Sequence, residues 1–390
     1  MLKVDIVNEW EDIIESDVEK VADYLRNNPV SYIDGAVIKT FENNFAKFVG
    51  KKYAVAYSSG TAALYAAIST CECLKNKKIV LSEYSYFGAV YAALENNAMV
   101  VLCPFETDTL TIDVKKLEEI IDNDTVAVIV THIWGNPCDM DKLSELRQKY
   151  GIKIISDASH AHGAEWREWK IGGLPCEDIA CFSLGKGKLI TGGELGVAVT
   201  DSLDIYNRLL LIGHPNRVPK ALVDDKYKKY SNGYGIKLRP HVAALIIGNE
   251  QLKRYDEKLK CNRETNAYLE KRIVEIPGFS KIHSSEYASR VYWKLVIVLD
   301  KAYWKDWSTE KVVSMLRERG IILEQFHSYD FAYENDILNN DRYTGRLINE
   351  SNMTPPDNLL FLPTFVRLKR ESLDGIIEAF REVSEERERL

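Results

Sequence analysis

The sequence lacks the features that mark several common protein classes. No apolar run approaches the ~18 residues that a membrane-spanning helix needs, so no transmembrane segment is expected. No block of basic residues occurs, and Lys plus Arg total 51 against 58 Asp plus Glu, a formal charge of −7. Such a chain is a poor partner for nucleic acid or an anionic membrane surface. The cysteines neither pair nor cluster. The seven of them (71, 73, 103, 138, 176, 181, 261) are odd in number and sit mostly in apolar runs. That reads as reduced, buried thiols in a cytoplasmic protein. Cys71 and Cys73 form C-x-C, with no second pair at zinc spacing, so no metal site is expected. The opening residues are acidic and amphipathic, unlike a secretory leader. Repeats and low-complexity stretches are missing too.

What remains is an ordinary globular composition: 390 residues, 46% hydrophobic and 28% charged. That length suggests two or three domains at roughly 150 residues each, with enough core to fold without a disulfide or metal. Between residues 50 and 200, short apolar runs alternate with helical spacing. The runs are Tyr53–Tyr57, Lys78–Leu81, Met99–Cys103, Val126–Val130, Ile152–Ile155, Ala180–Ser183 and Gly196–Thr200. Several are continuously hydrophobic, as strands covered on both faces are. The helical segments between them include Thr61–Thr70, Phe87–Asn96, Val114–Ile121 and Asp141–Tyr150. The fold class predicted is α/β: a large domain with a mostly parallel mixed sheet flanked by helices, and a smaller α+β C-terminal domain. The boundary is placed near 250, giving 1–250 and 251–390. The last third predicts a long helix over 240–275, a strand over Val291–Leu299, a helix over Thr309–Arg319, a short strand near Ile321–Leu323 and a closing helix from about Ser372.

Ligands of parallel sheets bind at the carboxyl ends of the strands, so the residues just after each strand matter most. Ser58-Ser59-Gly60-Thr61-Ala62 follows the first run and opens a helix. It offers free N–H groups for a phosphate, or is simply a Ser cap with a turn glycine. Tyr84, Tyr86 and Phe87 follow the second run and suit either a planar ring or the core. His132 follows the fourth and is more often structural. Asp157 follows the fifth, and a buried carboxylate needs a partner: a helix N-terminus, His160, or a cation in the cleft. Lys186 and Lys188 lie among glycines after the sixth, in a stretch that does not match a Walker A loop. An anion cradle, an aromatic plate, a buried acid and a semi-buried lysine on one sheet edge are what pyridoxal 5'-phosphate requires. Its ring nitrogen needs a fixed carboxylate and its aldehyde needs a lysine.

Three motifs carry a closer likeness: YAVAYSSGTAALYAAI (53–68), ISDASHAHGA (155–164) and CFSLGKGKLITGGELG (181–196). In order and spacing the chain resembles the DegT/DnrJ/EryC1/StrS family of PLP-dependent sugar aminotransferases, over nearly its whole length. The resemblance implies the aspartate-aminotransferase-like fold (type I). It implies that Lys188, not Lys186, forms the Schiff base, that Asp157 pairs with the pyridinium nitrogen, and that His160 lies against the cofactor ring. It further implies that Ser59, Gly60, Thr61 and Ser183 hold the phosphate and that Tyr86 covers the ring. Lys237, in Gly235-Ile236-Lys237-Leu238-Arg239, stands where the family has an asparagine that reaches the neighbouring subunit's phosphate. Leu195, in Glu194-Leu195-Gly196, is a smaller departure. A homodimer with a shared active site follows, with the 213–219 loop a candidate part of it. Tyr32, Arg239 and His327 are implied substrate contacts.

The activity implied moves an amino group from an amino acid, L-glutamate, to a keto sugar, most often nucleotide-linked. Alternatives within the family are a sugar phosphate or keto-cyclitol acceptor, or a sugar dehydratase. Dehydratases of the family carry His in place of the lysine, and Lys188 argues against that reading. A regulator built on the same fold is the non-enzyme alternative. Arg342 and Arg346 either meet a phosphate or face water.

Overall fold

The computed structural model describes residues 4–28, 35–71, 74–217, 235–324, 341–349, 353 and 356–389. Each of the seven runs forms a strand: β1 (Tyr53–Tyr57), β2 (Lys78–Ser82), β3 (Met99–Cys103), β4 (Thr125–Thr131), β5 (Lys153–Asp157), then, past the two-residue strands β6 (Glu165–Trp166) and β7 (Trp169–Lys170), β8 (Ile179–Ser183) and β9 (Gly196–Thr200). Further on lie β10 (Phe279–Lys281), β11 (Ala288–Ser289), β12 (Leu295–Leu299), β13 (Leu347–Asn349) and β14 (Leu359–Leu362). The main sheet has eight strands in the order β1-β9-β8-β5-β4-β2-β3-β13. Only β9 runs against the rest, being antiparallel to both β1 and β8. The sheet is therefore the mostly parallel, mixed sheet expected.

Helices cover both faces and bury two separate clusters. Phe41, Phe45, Phe182 and Leu189 lie in one, and Leu64, Ile68, Leu81 and Ile129 in the other. Burying both faces removes the polar alternation an exposed sheet would show. The helix starts are capped by side chains the sequence provides. Ser59, Asp113, Asp139 and Ser202 each accept a first-turn N–H.

A second, antiparallel sheet, β10-β12-β14, packs with the helices Thr309–Glu318 and Arg370–Glu388 around Leu269, Trp304, Leu316 and Phe380. The helix Tyr255–Ile273 serves both cores: Tyr255 and Leu259 belong to the large one, Leu269 and Ile273 to the smaller. The start of the chain also reaches the smaller core through Val4 and Ile6.

Three expectations are corrected. The predicted helix over 240–275 is two helices, Val242–Lys253 and Tyr255–Ile273, broken at Arg254 (φ −112°, ψ 9°). The Arg254 guanidinium pairs with buried Asp17. The predicted strand over 291–299 begins only at Leu295. Before it, Val291 N–H donates to Gly135 O and Tyr292 N–H to the Asn262 side chain, so no ladder forms there. Residues 321–323 form no strand; a single bridge at Glu324 to Phe361 follows them.

Candidate active site

The carboxyl ends of β1, β2, β4, β5 and β8 converge on one cavity of about 320 Å³. Because β9 runs the other way, its start lies at the same edge and brings Glu194 to the rim.

The first wall is the helix Gly60–Ser69. Ser59 is extended, and its Oγ accepts from Ala62 N–H at 3.1 Å. The N–H groups of Gly60 and Thr61 precede any intrahelical acceptor and are left for a ligand at the positive helix end. Two glycines let the backbones meet there. A Cβ on Gly60 would lie 2.6 Å from Ser183 Cβ, and one on Gly196 would lie 2.1 Å from Ser59 O. Tyr86, just before the helix Phe87–Glu95, adds an aromatic ring to the lining.

Asp157 closes β5 and is 3% exposed. Its Oδ1 accepts from Ser159 N–H at 3.1 Å, and the Ser159 side chain also hydrogen-bonds to the carboxylate. Burial pushes this carboxyl above its ordinary range; the Ser159 contacts and the Lys188 charge oppose that shift. His160 Nδ1 accepts from Trp134 N–H at 3.3 Å, which leaves the ring proton of neutral imidazole on Nε2. Burial holds this ring far below the usual histidine range, helped by the charges of Lys188, His162 and Lys294.

Lys188 lies on the turn from β8 to β9, with its N–H donating to Gly185 O at 3.2 Å. Its amine sits over the Trp293 ring, 3.7 Å from the centroid. The His160 ring stacks on the same indole at 3.6 Å. Two groups so close to one centroid cannot share a face, so the indole separates imidazole from amine. Trp293 is fixed by donating from Nε1 to Gly187 O at 2.9 Å. Burial pushes the Lys188 amine down to about 7; Asp157 opposes this and Lys294 adds to it.

Ser59, Gly60, Thr61, Tyr86, Asp157, His160, Ser183 and Lys188 thus all line one cavity. Lys237 does not line it; the side chain is exposed on a segment held behind the Ser58 turn, where Ser58 N–H donates to Leu238 O at 2.7 Å. Arg239 is half-buried on the same segment. Tyr32 and His327 lie outside the described residues. His132 is buried in the core, with Nδ1 accepting from Cys138 N–H. Within the 213–219 loop, Arg217 makes a buried bidentate pair with Glu42. Arg342 pairs with Glu95, and Arg346 donates to Leu94 O, which fastens residues 341–349 to the sheet edge. Trp293, which contacts Lys188 and His160, and Lys294 beside it back the cavity lining and were not singled out from the sequence. Their signal was an aromatic and a lysine at the head of an otherwise apolar run.

A mixed, doubly covered sheet with a cavity at its strand ends is the fold of the PLP-dependent transferases. A model of the DegT/DnrJ/EryC1/StrS aminotransferase family matches residues 11–381, and the chain belongs to that family. It is therefore an enzyme of the aminotransferase class. Among its relatives is the UDP-4-amino-4,6-dideoxy-N-acetyl-beta-L-altrosamine transaminase of Campylobacter jejuni, 28% identical over 84% of this chain and 85% of the relative. Another is a GDP-perosamine synthase of Vibrio cholerae, 27% identical over 69% of this chain and 71% of the relative. The same fold is seen in an E. coli GDP-4-keto-6-deoxy-D-mannose-3-dehydratase solved with bound hydrated PLP. That structure matches with a TM-score of 0.85 at 20% identity, over 97% of this chain and all of that one.

Proposed function

We propose that the chain is a PLP-dependent aminotransferase that moves an amino group from L-glutamate to a nucleotide-linked keto sugar. The observation carrying this reading is a half-buried lysine with a lowered pKa and a buried carboxylate in one cavity with an uncovered helix N-terminus. The residues fit the cofactor. The Gly60 and Thr61 N–H groups with the Ser183 hydroxyl suit a phosphate. Asp157, free to accept a further hydrogen bond, suits a protonated ring nitrogen, and Lys188 suits an aldehyde. When bound, pyridoxal 5'-phosphate supplies that aldehyde and an electron-poor ring that accepts the electron pair left at carbon.

The chain's own residues do the rest. Asp157 stays ionised against a cationic partner, because pairing offsets the burial that otherwise raises its pKa. Lys188, near neutrality at ordinary pH, takes the proton from the donor's α-carbon at Nζ. In the second half-reaction the same Nζ returns a proton to the carbonyl carbon of the acceptor. One amino acid and one keto sugar then leave as a keto acid and an amino sugar. His160, neutral and fixed by Trp134 with its ring stacked on Trp293, offers an Nε2 proton to donate.

Lysine rather than histidine at position 188 supports transamination over dehydration. The two nucleotide-sugar relatives support a nucleotide-linked acceptor. We further propose a cytoplasmic homodimer in which Lys237 enters the partner's site, and substrate contacts by Tyr32, Arg239 and His327. No helix among the described residues is long and apolar enough to cross a membrane. The test is a panel of keto acceptors (nucleotide sugars, sugar phosphates, cyclitols) with glutamate as donor and amino products detected by mass. Amination of a nucleotide sugar is the expected result. Amination confined to another class would overturn the acceptor, and loss of water without amination would overturn the reaction.

A further inference from the structure

Lys294 is a second lysine at this site, and the reaction as drawn does not use it. It stands directly after Trp293 and just before β12, and only 6% of its surface is exposed. Its amine approaches the Trp293 ring at 5.2 Å from the centroid, the same indole that carries the Lys188 amine at 3.7 Å. Glu324 holds it there, accepting from Lys294 Nζ at 2.7 Å. Glu324 is itself fixed by a backbone bridge to Phe361 on β14. Two lysine amines therefore share one aromatic ring, Lys294 buried and Lys188 half-buried.

Like charges this close and this poorly screened raise each other's cost of ionisation. The two lysines are not equivalent. Lys294 has a carboxylate in hydrogen-bond contact, whereas Lys188 makes no side-chain hydrogen bond or ion pair among the described residues. The pair therefore resolves with the charge on Lys294 and the neutral amine on Lys188.

We propose that Lys294 is a positioning residue for the reactive amine: its ammonium, pinned by Glu324 against the shared indole, keeps Lys188 uncharged and nucleophilic. This rests on reading Lys188 as the reactive lysine. Among the described residues, the other charged or titratable groups near Lys188 do not supply this buried positive charge. Asp157 at the end of β5 pulls the other way, favouring the ammonium. His160 and His162, on the turn after β5, are held neutral by burial. Lys186 and Glu194, on the flanks of the Lys188 turn, are exposed at the rim and opposite in sign, so water screens both. Among these groups, Lys294 is the buried cation. Burial lowers the Lys294 pKa and is the largest cause of its shift, while the Glu324 contact opposes it and favours the ammonium.

The test is competitive labelling of Lys188 by fluorodinitrobenzene across pH on the cofactor-stripped chain, read by peptide mass. As a second readout, the pH midpoint of the visible absorbance change is followed in the cofactor-loaded protein. K294M is expected to raise both midpoints and to slow labelling at pH 7 by about tenfold, the equivalent of one pKa unit. K294R is expected to keep the wild-type midpoints, since a guanidinium stays charged. Unchanged midpoints in K294M would overturn the proposal. So would an equal rise in K294R, which would make the effect one of packing rather than charge. If K294M does not fold, K294Q is read the same way. Borohydride trapping on wild type keeps the two readings apart: label found away from Lys188 defeats the catalytic assignment, whereas unmoved midpoints with label on Lys188 defeat only the role of Lys294.

Discussion

Lys188 and Asp157 owe their chemistry to what surrounds them. Each is an ordinary residue forced into a dry cavity, where burial drives the amine toward neutrality and would drive the acid toward protonation. Lys188→Ala is expected to abolish turnover and to leave no borohydride-trapped cofactor on the 181–196 peptide; full turnover in that variant would contradict the assignment. Asp157→Asn is expected to keep measurable cofactor binding, seen by absorbance after gel filtration, while losing about a hundredfold or more in rate. A variant within a few-fold of wild type would remove Asp157 from the mechanism. Their placement in one cavity was legible in the sequence, because an acid just past a hydrophobic run and a lysine among glycines break the local pattern. That of Trp293 and Lys294 was not. They belong to the smaller sheet's leading edge, and nothing in VYWKLVIVL says that its first residues leave the ladder and that the indole meets Lys188 and His160 from another part of the chain.

At the scale of elements, the site depends on close backbone approaches and on a buried ion pair. Gly196 lets β9 begin against the Ser59 carbonyl. Gly196→Ala must push the strand from the helix start, so weaker cofactor retention and a lower melting temperature are expected together. Wild-type values of both would show that the approach is not needed. Glu42, on the helix Ala36–Val49, accepts from Ala56 N–H of β1 and from both ends of the Arg217 guanidinium. Arg217→Met leaves a carboxylate buried without its cation, and a loss of about 3–5 kcal/mol is expected in urea unfolding. Adding Glu42→Gln should recover part of it. The strands of the main sheet were readable because continuous apolar runs bounded by turns have few other solutions. β13 was not readable: Leu347–Asn349 is short, and it joins the sheet only because β3 offers an open parallel edge and Arg342 and Arg346 fasten it there.

Over the whole molecule, burial of titratable groups shapes the response to pH. His132 and His162 are pushed down to about 3 by burial, and His160 and His214 are lowered as well. The unfolded chain takes protons on these rings near the ordinary histidine value of about 6.5, and the folded chain does not, so their contribution is lost as pH falls below that value. Asp157 and Glu177 oppose this, since burial raises both and the folded chain keeps their protons longer. Four histidines outweigh two acids, so the urea midpoint of the cofactor-free chain is expected to be lower at pH 5 than at pH 6.5. An equal or higher midpoint at pH 5 would mean that the histidines ionise within the fold. The other whole-molecule question is where Lys237 acts, since it is exposed on its own chain and absent from the cavity there. If it completes the partner's site, Lys237→Ala and Lys188→Ala are each inactive alone, yet co-refolding them gives mixed dimers with one intact site. Random pairing then predicts a return of about a quarter of wild-type activity, as two-fold symmetry requires. A Lys237 acting within its own chain leaves both sites of every mixed dimer defective, and the mixture stays inactive.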